Sequence, residues 1–187
     1  MATDVTSAYT ALAVMGPNSR TFLQSVTDSD LSNEAFPFGT SQQIEIGYAT
    51  ATALRMTYVG ELGWELYVPS EFAAHVFETL TTAGVVHDVK LAGYHALDSL
   101  RLEKGYRHWG HDITDEDTPL QAGLSFAVAW DKPGGFIGRD ALLAQKEAGL
   151  DRRLVQFKLD DPEPLLYHDH PILRDGELVG NTTSGNY

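Results

Sequence analysis

Residues 53–69 read ALRMTYVGELGWELYVP, and this stretch decides the fold. Apolar residues alternate with polar or small ones over Ala53–Val59, which predicts one β-strand. Gly60–Gly63 is rich in glycine and predicts a turn. Trp64–Val68 alternates again and predicts the next strand. The stretch therefore predicts two consecutive strands of an antiparallel sheet.

The same periodicities extend outward from this pair of strands. They predict strands at Ala11–Met15 and Gln43–Ala49, a helix after Pro17, a helix from Ser70 to Gly84, and a short strand at Val89–Leu91. An antiparallel sheet of this kind buries one face under helices. We therefore expect an α+β fold in which helices cover one face of an antiparallel sheet, ferredoxin-like in its layers.

The second half of the chain has weaker patterns. They predict helices at Tyr94–Lys104 and Gly138–Ala148, strands at Leu120–Trp130 and Arg153–Leu159, and a hairpin over Pro171–Thr183 that turns at Asp175-Gly176. We expect a first domain at residues 1–151. Residues 152–187 would be the first strands of a truncated β-rich module, because a single hairpin is marginal alone.

Composition excludes several functions. The 187 residues carry a net charge of −13 and no cysteine. Thiol nucleophiles, disulfides and Cys-ligated metals are therefore ruled out. The acidic balance argues against nucleic-acid binding and against anionic membrane surfaces. With no long apolar run and no secretory signal, we expect a cytoplasmic protein that neither spans nor binds a membrane.

The turn at residues 60–63 offers the first candidate site. Tyr58 and Glu65 are seven residues apart and would face one another across this turn. A carboxylate among aromatic side chains can accept two parallel hydrogen bonds from a flat heterocycle with an amidine-like N–H pair. The alternative is an ordinary hairpin with an exposed glutamate.

A second candidate lies in and after the helix at residues 94–104. Arg101 would lie near the apolar face, where it would either grip an anionic ligand or pair with Asp98. His108, His111 and Asp112 have a spacing compatible with a metal, but three residues are not specific, and we predict no metal site. His168 and His170 we assign to a solvated loop.

Taken together, these segments resemble the folate-binding module of the glycine-cleavage T-protein (aminomethyltransferase) family. The resemblance rests on an ordered set of motifs that runs almost from end to end: Ala13–Pro17, Tyr58–Glu65, Asp98–Glu103, Gly110–Ile113, Pro119–Leu124, Phe136–Arg139 and Gly180–Gly185. No single motif is specific, whereas the set in this order is. The resemblance implies the T-protein type of folate-binding fold.

One branch of the family is favoured by the sequence around the helix at residues 94–104. The stretch Tyr94–Trp109 is most similar to the T-protein-like C-terminal part of sarcosine and dimethylglycine dehydrogenases. Leu97 stands where T-proteins proper tend to carry an arginine that contacts folate. This departure argues against a glycine-cleavage role.

The resemblance implies that Glu65 binds the pterin ring of tetrahydrofolate, with Tyr58 and Trp109 lining the same pocket. The implied chemistry is transfer of an aminomethyl or methylene carbon from an amine substrate to tetrahydrofolate. The family carboxylate that organises the amine lies in a segment that this sequence does not contain, so the catalytic residues stay unknown. We expect a fragment that lacks the FAD-binding half of a dehydrogenase and is inactive alone. The sequence does not predict its oligomeric state.

Two other functions remain open at this stage. One is a non-catalytic folate-binding module, although the cysteine motif of relatives that assist iron–sulfur assembly is absent at Lys104–Arg107. The other is methyl transfer to tetrahydrofolate from a different substrate, such as a sulfonium compound.

Overall fold

The structure, a computed structural model, describes residues 1–186. The chain divides into two compact units, Met1–Lys104 and a second unit that begins at Gly105. The predicted division at residue 151 into two domains stays a prediction. In the described residues no helix is both long enough and apolar enough to cross a membrane.

The first unit contains one four-stranded sheet and three α-helices, besides short 3₁₀-helices. Its elements are β1 (Tyr9–Met15), α1 (Ser19–Gln24), β2 (Ser41–Ile46), β3 (Ala49–Leu54), β4 (Gly63–Pro69), α2 (Ala73–Gly84) and α3 (Tyr94–Glu103). The strand order is β1-β4-β3-β2, and every neighbouring pair is antiparallel. The predicted antiparallel sheet with helices is therefore confirmed.

One face of this sheet forms the core of the first unit. Alternate residues of β4, namely Trp64, Leu66 and Val68, are completely buried. They pack with apolar side chains from the neighbouring strands and from α1 and α2, including Phe22, Leu23, Ile44, Ile46, Ala51, Ala53, Val76 and Leu80. Burial of these side chains provides the main driving force for folding of this unit.

The other face of the sheet carries small and polar residues, and we call it the open face. It presents Ala11, Ala13, Gln43, Thr52, Glu65 and Tyr67. Ala11, Ala13 and Gln43 are exposed, whereas the other three are partly buried. Glu65 is thus held on a central strand with solvent-accessible neighbours.

Two strand predictions in the first unit need correction. Strand β3 ends at Leu54, so Met56 and Tyr58 lie in the connection to β4 and not in the predicted strand Ala53–Val59. The left-handed Gly47 (φ 61°) makes the preceding turn and starts β3 at Ala49, so that its pairing with β2 runs out at Leu54. The predicted strand Val89–Leu91 is not formed, because Asp88 adopts φ 54° and turns the chain away.

The second unit contains α4 (Arg139–Ala148) and a hairpin made of β5 (Pro171–Arg174) and β6 (Glu177–Asn181). The hairpin turns at Asp175 and Gly176, with φ of 56° and 86°. Positive φ at both central residues is what a two-residue hairpin of this twist requires. The small second sheet confirms the predicted beginning of a β-rich C-terminal module.

Two predicted strands of the second unit are wrong. Leu120–Trp130 consists of turns, closed by backbone bonds such as Ala122 N–H to the Thr118 carbonyl (2.9 Å), and a 3₁₀-helix at Ser125–Ala127 in which Phe126 is 84% exposed. Arg153–Leu159 alternates as a strand should, but no described segment pairs with it as a ladder. The Leu154 N–H donates to the Gln121 carbonyl at 2.8 Å, but alternation together with such a bond does not make a strand without a ladder of paired residues.

Candidate functional site

Glu65 lies on the open face in the middle of β4. Its carboxylate Oε2 accepts a hydrogen bond of 2.9 Å from the hydroxyl of Tyr67, two residues along the same strand. Residues two apart on a strand share a face, which brings this pair together. The hydrogen bond to the carboxylate is the main reason why the pKa of the Tyr67 phenol is raised above its ordinary value, with burial as the second cause.

The neighbours of this pair leave room on the side of β1. Ala13 stands opposite Glu65 and Ala11 stands opposite Tyr67 in the register of β1 with β4. On the other side, Leu54 of β3 stands opposite Glu65. The carboxylate therefore has a methyl group on one side and an isobutyl group on the other, and neither competes for its oxygens.

The turn before β4 requires glycine at two positions, for two different structural reasons. Gly60 adopts φ 74°, and a Cβ there would collide with the side chain of Lys104. A Cβ on Gly63 would lie 2.7 Å from Cγ of Met15, because β1 approaches β4 closely at this end. The glycines thus fix where β4 begins and, with it, which residues face outward.

Tyr58 lies in the connection between β3 and β4 and is partly buried. In the same connection, the Glu61 carboxylate pairs with the Lys104 ammonium at 3.5 Å. The assignment of Tyr58 to the pocket of Glu65 stays a prediction. Tyr67 is the residue that sequence reasoning missed, and the signal that could have found it is its i+2 position from Glu65.

Arg101 follows the structural alternative. Its side chain is 1% exposed, and the guanidinium pairs with the Asp98 carboxylate through Nη2 at 2.6 Å and Nε at 2.7 Å. Both side chains belong to α3 and are one turn apart, as the sequence spacing requires. This geometry gives Arg101 a role in the stability of the first unit.

Trp109 belongs to the second unit and is 66% exposed. Its predicted place in the folate pocket stays a prediction. Nearby, Oδ1 of Asp112 accepts hydrogen bonds of 2.6 Å from the hydroxyls of Thr183 and Ser184. Asp112 thus ties the segment after the hairpin to the loop at residues 108–113.

In the second unit, His111 stacks on His168 and lies at a tilt to His108. The rings of His111 and His168 are 4.4 Å apart, and those of His108 and His111 are 5.5 Å apart. Over the described residues, no group of three or more His, Cys, Asp or Glu side chains is arranged to hold a metal ion.

The sequence matches two known family domains. Residues 1–132 match the model of the GCVT N-terminal domain, which is more than half of the chain. The chain belongs to this GCVT family. Residues 152–187 match the glycine cleavage T-protein C-terminal barrel domain, in agreement with the small second sheet.

Relatives of this GCVT chain include oxidising enzymes. It is 47% identical over 184 residues to 4-methylaminobutanoate oxidase (formaldehyde-forming) from Paenarthrobacter nicotinovorans, covering 98% of this chain and 22% of that protein. It is 44% identical over 176 residues to human mitochondrial sarcosine dehydrogenase, covering 94% of this chain and 19% of the dehydrogenase. The chain thus spans about a fifth of the length of these relatives.

A solved structure shares the fold of this GCVT chain. The glycine cleavage system aminomethyltransferase T from Bartonella henselae matches with a TM-score of 0.65 and 21% identity. The match covers 98% of this chain and 73% of that one. At this identity the match shows the fold alone, and it confirms the predicted T-protein type of architecture.

Proposed function

We propose that this chain is a tetrahydrofolate-binding domain for one-carbon transfer, with Glu65 as the residue that binds the pterin. The observation that carries the proposal is the carboxylate of Glu65 on the open face, held by Tyr67 and flanked by Ala13 and Leu54. Membership in the GCVT family supports the same ligand.

The chemistry of the ligand fits this carboxylate. A pterin ring presents a parallel N–H pair, and an ionised carboxylate accepts such a pair through both oxygens. The alanines of β1 leave the side of the carboxylate open for a flat ring. When bound, tetrahydrofolate supplies the N5 amine that captures an aminomethyl or methylene carbon.

The test is calorimetric titration of the whole chain with tetrahydrofolate. Glu65→Gln keeps the shape and removes the charge, so we expect a loss of affinity of about 10- to 100-fold, the range for a hydrogen bond to a charged group. Glu45→Gln is the matched control, because Glu45 is an exposed glutamate on β2 whose side chain points to the same face. Equal affinity of wild type and Glu65→Gln would reject Glu65 as the pterin ligand.

The control variant lies well away from the proposed site. Glu45 pairs with Thr50, and it is two strands from β4 and about four residues along the sheet from Glu65. At about 4.8 Å per strand and 3.3 Å per residue, its Cα is roughly 16 Å from that of Glu65. A similar loss in both variants would indicate a general charge effect and not a site.

Further parts of the proposal concern the whole protein. We propose Tyr58 and Trp109 as additional pterin contacts and an amine as the one-carbon donor. FAD would belong to a part of the protein other than this chain, as in the dehydrogenase branch. A cytoplasmic location stays a prediction, and the human relative is called mitochondrial. Titration of Tyr58→Ala and Trp109→Ala in the same assay tests the two contacts.

A further inference from the structure

We propose that Tyr67 is a positioning residue that holds the carboxylate of Glu65 in the orientation that receives the pterin. This inference rests on the proposed function and adds a residue to it. The hydroxyl of Tyr67 donates to Oε2 at 2.9 Å. A glutamate has three rotatable side-chain bonds, so a free carboxylate would have to be ordered when the ligand binds.

The strand geometry makes Tyr67 suited to this role. Tyr67 and Glu65 alternate with the buried Trp64, Leu66 and Val68, so their backbone is fixed by the core. Their Cα atoms are about 6.6 Å apart along the strand. A tyrosine side chain has only two rotatable bonds before its hydroxyl, which lets it reach this distance with little loss of freedom.

Tyr67 leaves most acceptor positions of the Glu65 carboxylate available to a ligand. An ionised carboxylate offers about four acceptor positions, and Tyr67 uses one of them. Within residues 1–186, no other hydrogen bond or ion pair to the Glu65 carboxylate is present. A parallel N–H pair therefore finds acceptor positions on both oxygens.

A neutral donor also keeps the charge of the site. Lys104, which follows α3 and contacts the turn before β4, pairs with Glu61. Had a lysine or arginine held Glu65, it would have neutralised the carboxylate and competed with the ligand for both oxygens. A phenol orients the carboxylate and leaves its negative charge for the ligand.

The test is a double-mutant cycle on tetrahydrofolate affinity, measured by calorimetry with the whole chain. We expect Tyr67→Phe to weaken binding about ten-fold, which corresponds to about 1.4 kcal/mol. In the Glu65→Gln background the same change should have no further effect, because the carboxylate that Tyr67 orients is gone. Tyr9→Phe is the control, since Tyr9 lies at the far end of β1 on the same face.

A second measurement does not depend on the ligand. Titration of the Tyr67 phenol by NMR, with labelled tyrosine and Tyr67→Phe for assignment, should give a lower pKa in Glu65→Gln than in wild type. A merely structural hydrogen bond would show the pKa coupling without the non-additive loss of tetrahydrofolate affinity.

The outcomes separate the two proposals. Failure of wild type to bind tetrahydrofolate overturns the proposed function, while the phenol titration still decides whether Tyr67 holds Glu65. Tetrahydrofolate binding that Tyr67→Phe leaves unchanged, or weakens equally in both backgrounds, overturns the positioning role and leaves the proposed function intact.

Discussion

Replacing Asp98 by alanine should destabilise the first unit by removing a partner of the buried charge of Arg101. Arg101 is 1% exposed and Asp98 is 31% exposed, and their atoms approach to 2.6 Å. Breaking a fully buried pair costs about 3–5 kcal/mol, whereas an exposed pair contributes only about 0.2–1 kcal/mol. The partial exposure of Asp98 places the expected loss between these ranges, at about 2–3 kcal/mol.

The chain offers a matched control in Glu61→Ala. The Glu61–Lys104 pair is 42% and 44% exposed and its atoms are 3.5 Å apart, so its loss should change the free energy of unfolding by less than about 0.5 kcal/mol. In Asp98→Ala, alanine is a better helix former than aspartate within α3, and this offsets roughly 0.5 kcal/mol of the lost free energy of unfolding. Asp98→Asn, which keeps one carbonyl oxygen, should lie between Asp98→Ala and wild type.

Urea unfolding followed by tryptophan fluorescence measures these differences, because Trp64 is buried in the core of the first unit. The midpoint of Asp98→Ala should fall well below that of Glu61→Ala, with unchanged slopes. If both variants unfold at the same urea concentration, burial of Arg101 does not make its ion pair important, and the reasoning is refuted.

Three further changes test other parts of the structure. Gly63→Ala should lower the free energy of unfolding by about 1–3 kcal/mol, because the new Cβ would lie 2.7 Å from Cγ of Met15; urea unfolding measures it. Because the pKa of Tyr67 is raised in the folded state, this residue stabilises the fold at pH values below the ordinary tyrosine pKa of about 10. The stabilisation is lost as the pH rises through the folded-state pKa. As the pH rises above about 10, Tyr67→Phe should therefore lose less stability than wild type, as measured by urea unfolding. Asp112→Ala removes the acceptor of the Thr183 hydroxyl (2.6 Å), so limited proteolysis with mass spectrometry should show faster cleavage around Thr183.

Sequence reasoning succeeds where the signal is local. Helix α4 is predicted with Gly149 as its C-cap, and the β5–β6 hairpin follows from Asp175-Gly176. Both features depend on backbone preferences of a few neighbouring residues. The wrong strand at Arg153–Leu159 shows the opposite case, because a strand exists only where another segment supplies hydrogen-bond partners.

In the candidate site, too, local contacts follow from the sequence and contacts that depend on packing do not. The pairing of Asp98 with Arg101 follows from a separation of three residues on a helix, and the structure has it. The hydrogen bond from Tyr67 to Glu65 was missed because alternation predicts only that the two residues share a face. Whether two side chains on one face meet depends on their lengths and on what stands beside them, here the small Ala11 and Ala13.

The core and the site depend on one another through the register of β4. This strand pairs with β1 on one side and β3 on the other, and Trp64 is completely buried. A shift by one residue would turn Trp64 outward and Glu65 into the core, which exchanges a large apolar burial for a buried charge. The free energy that keeps the tryptophan inside therefore also keeps Glu65 and Tyr67 on the open face. The register of β4 alone therefore orients the side chains of a ligand site on this strand. Tyr58 lies in the connection before β4, and the register does not fix its orientation.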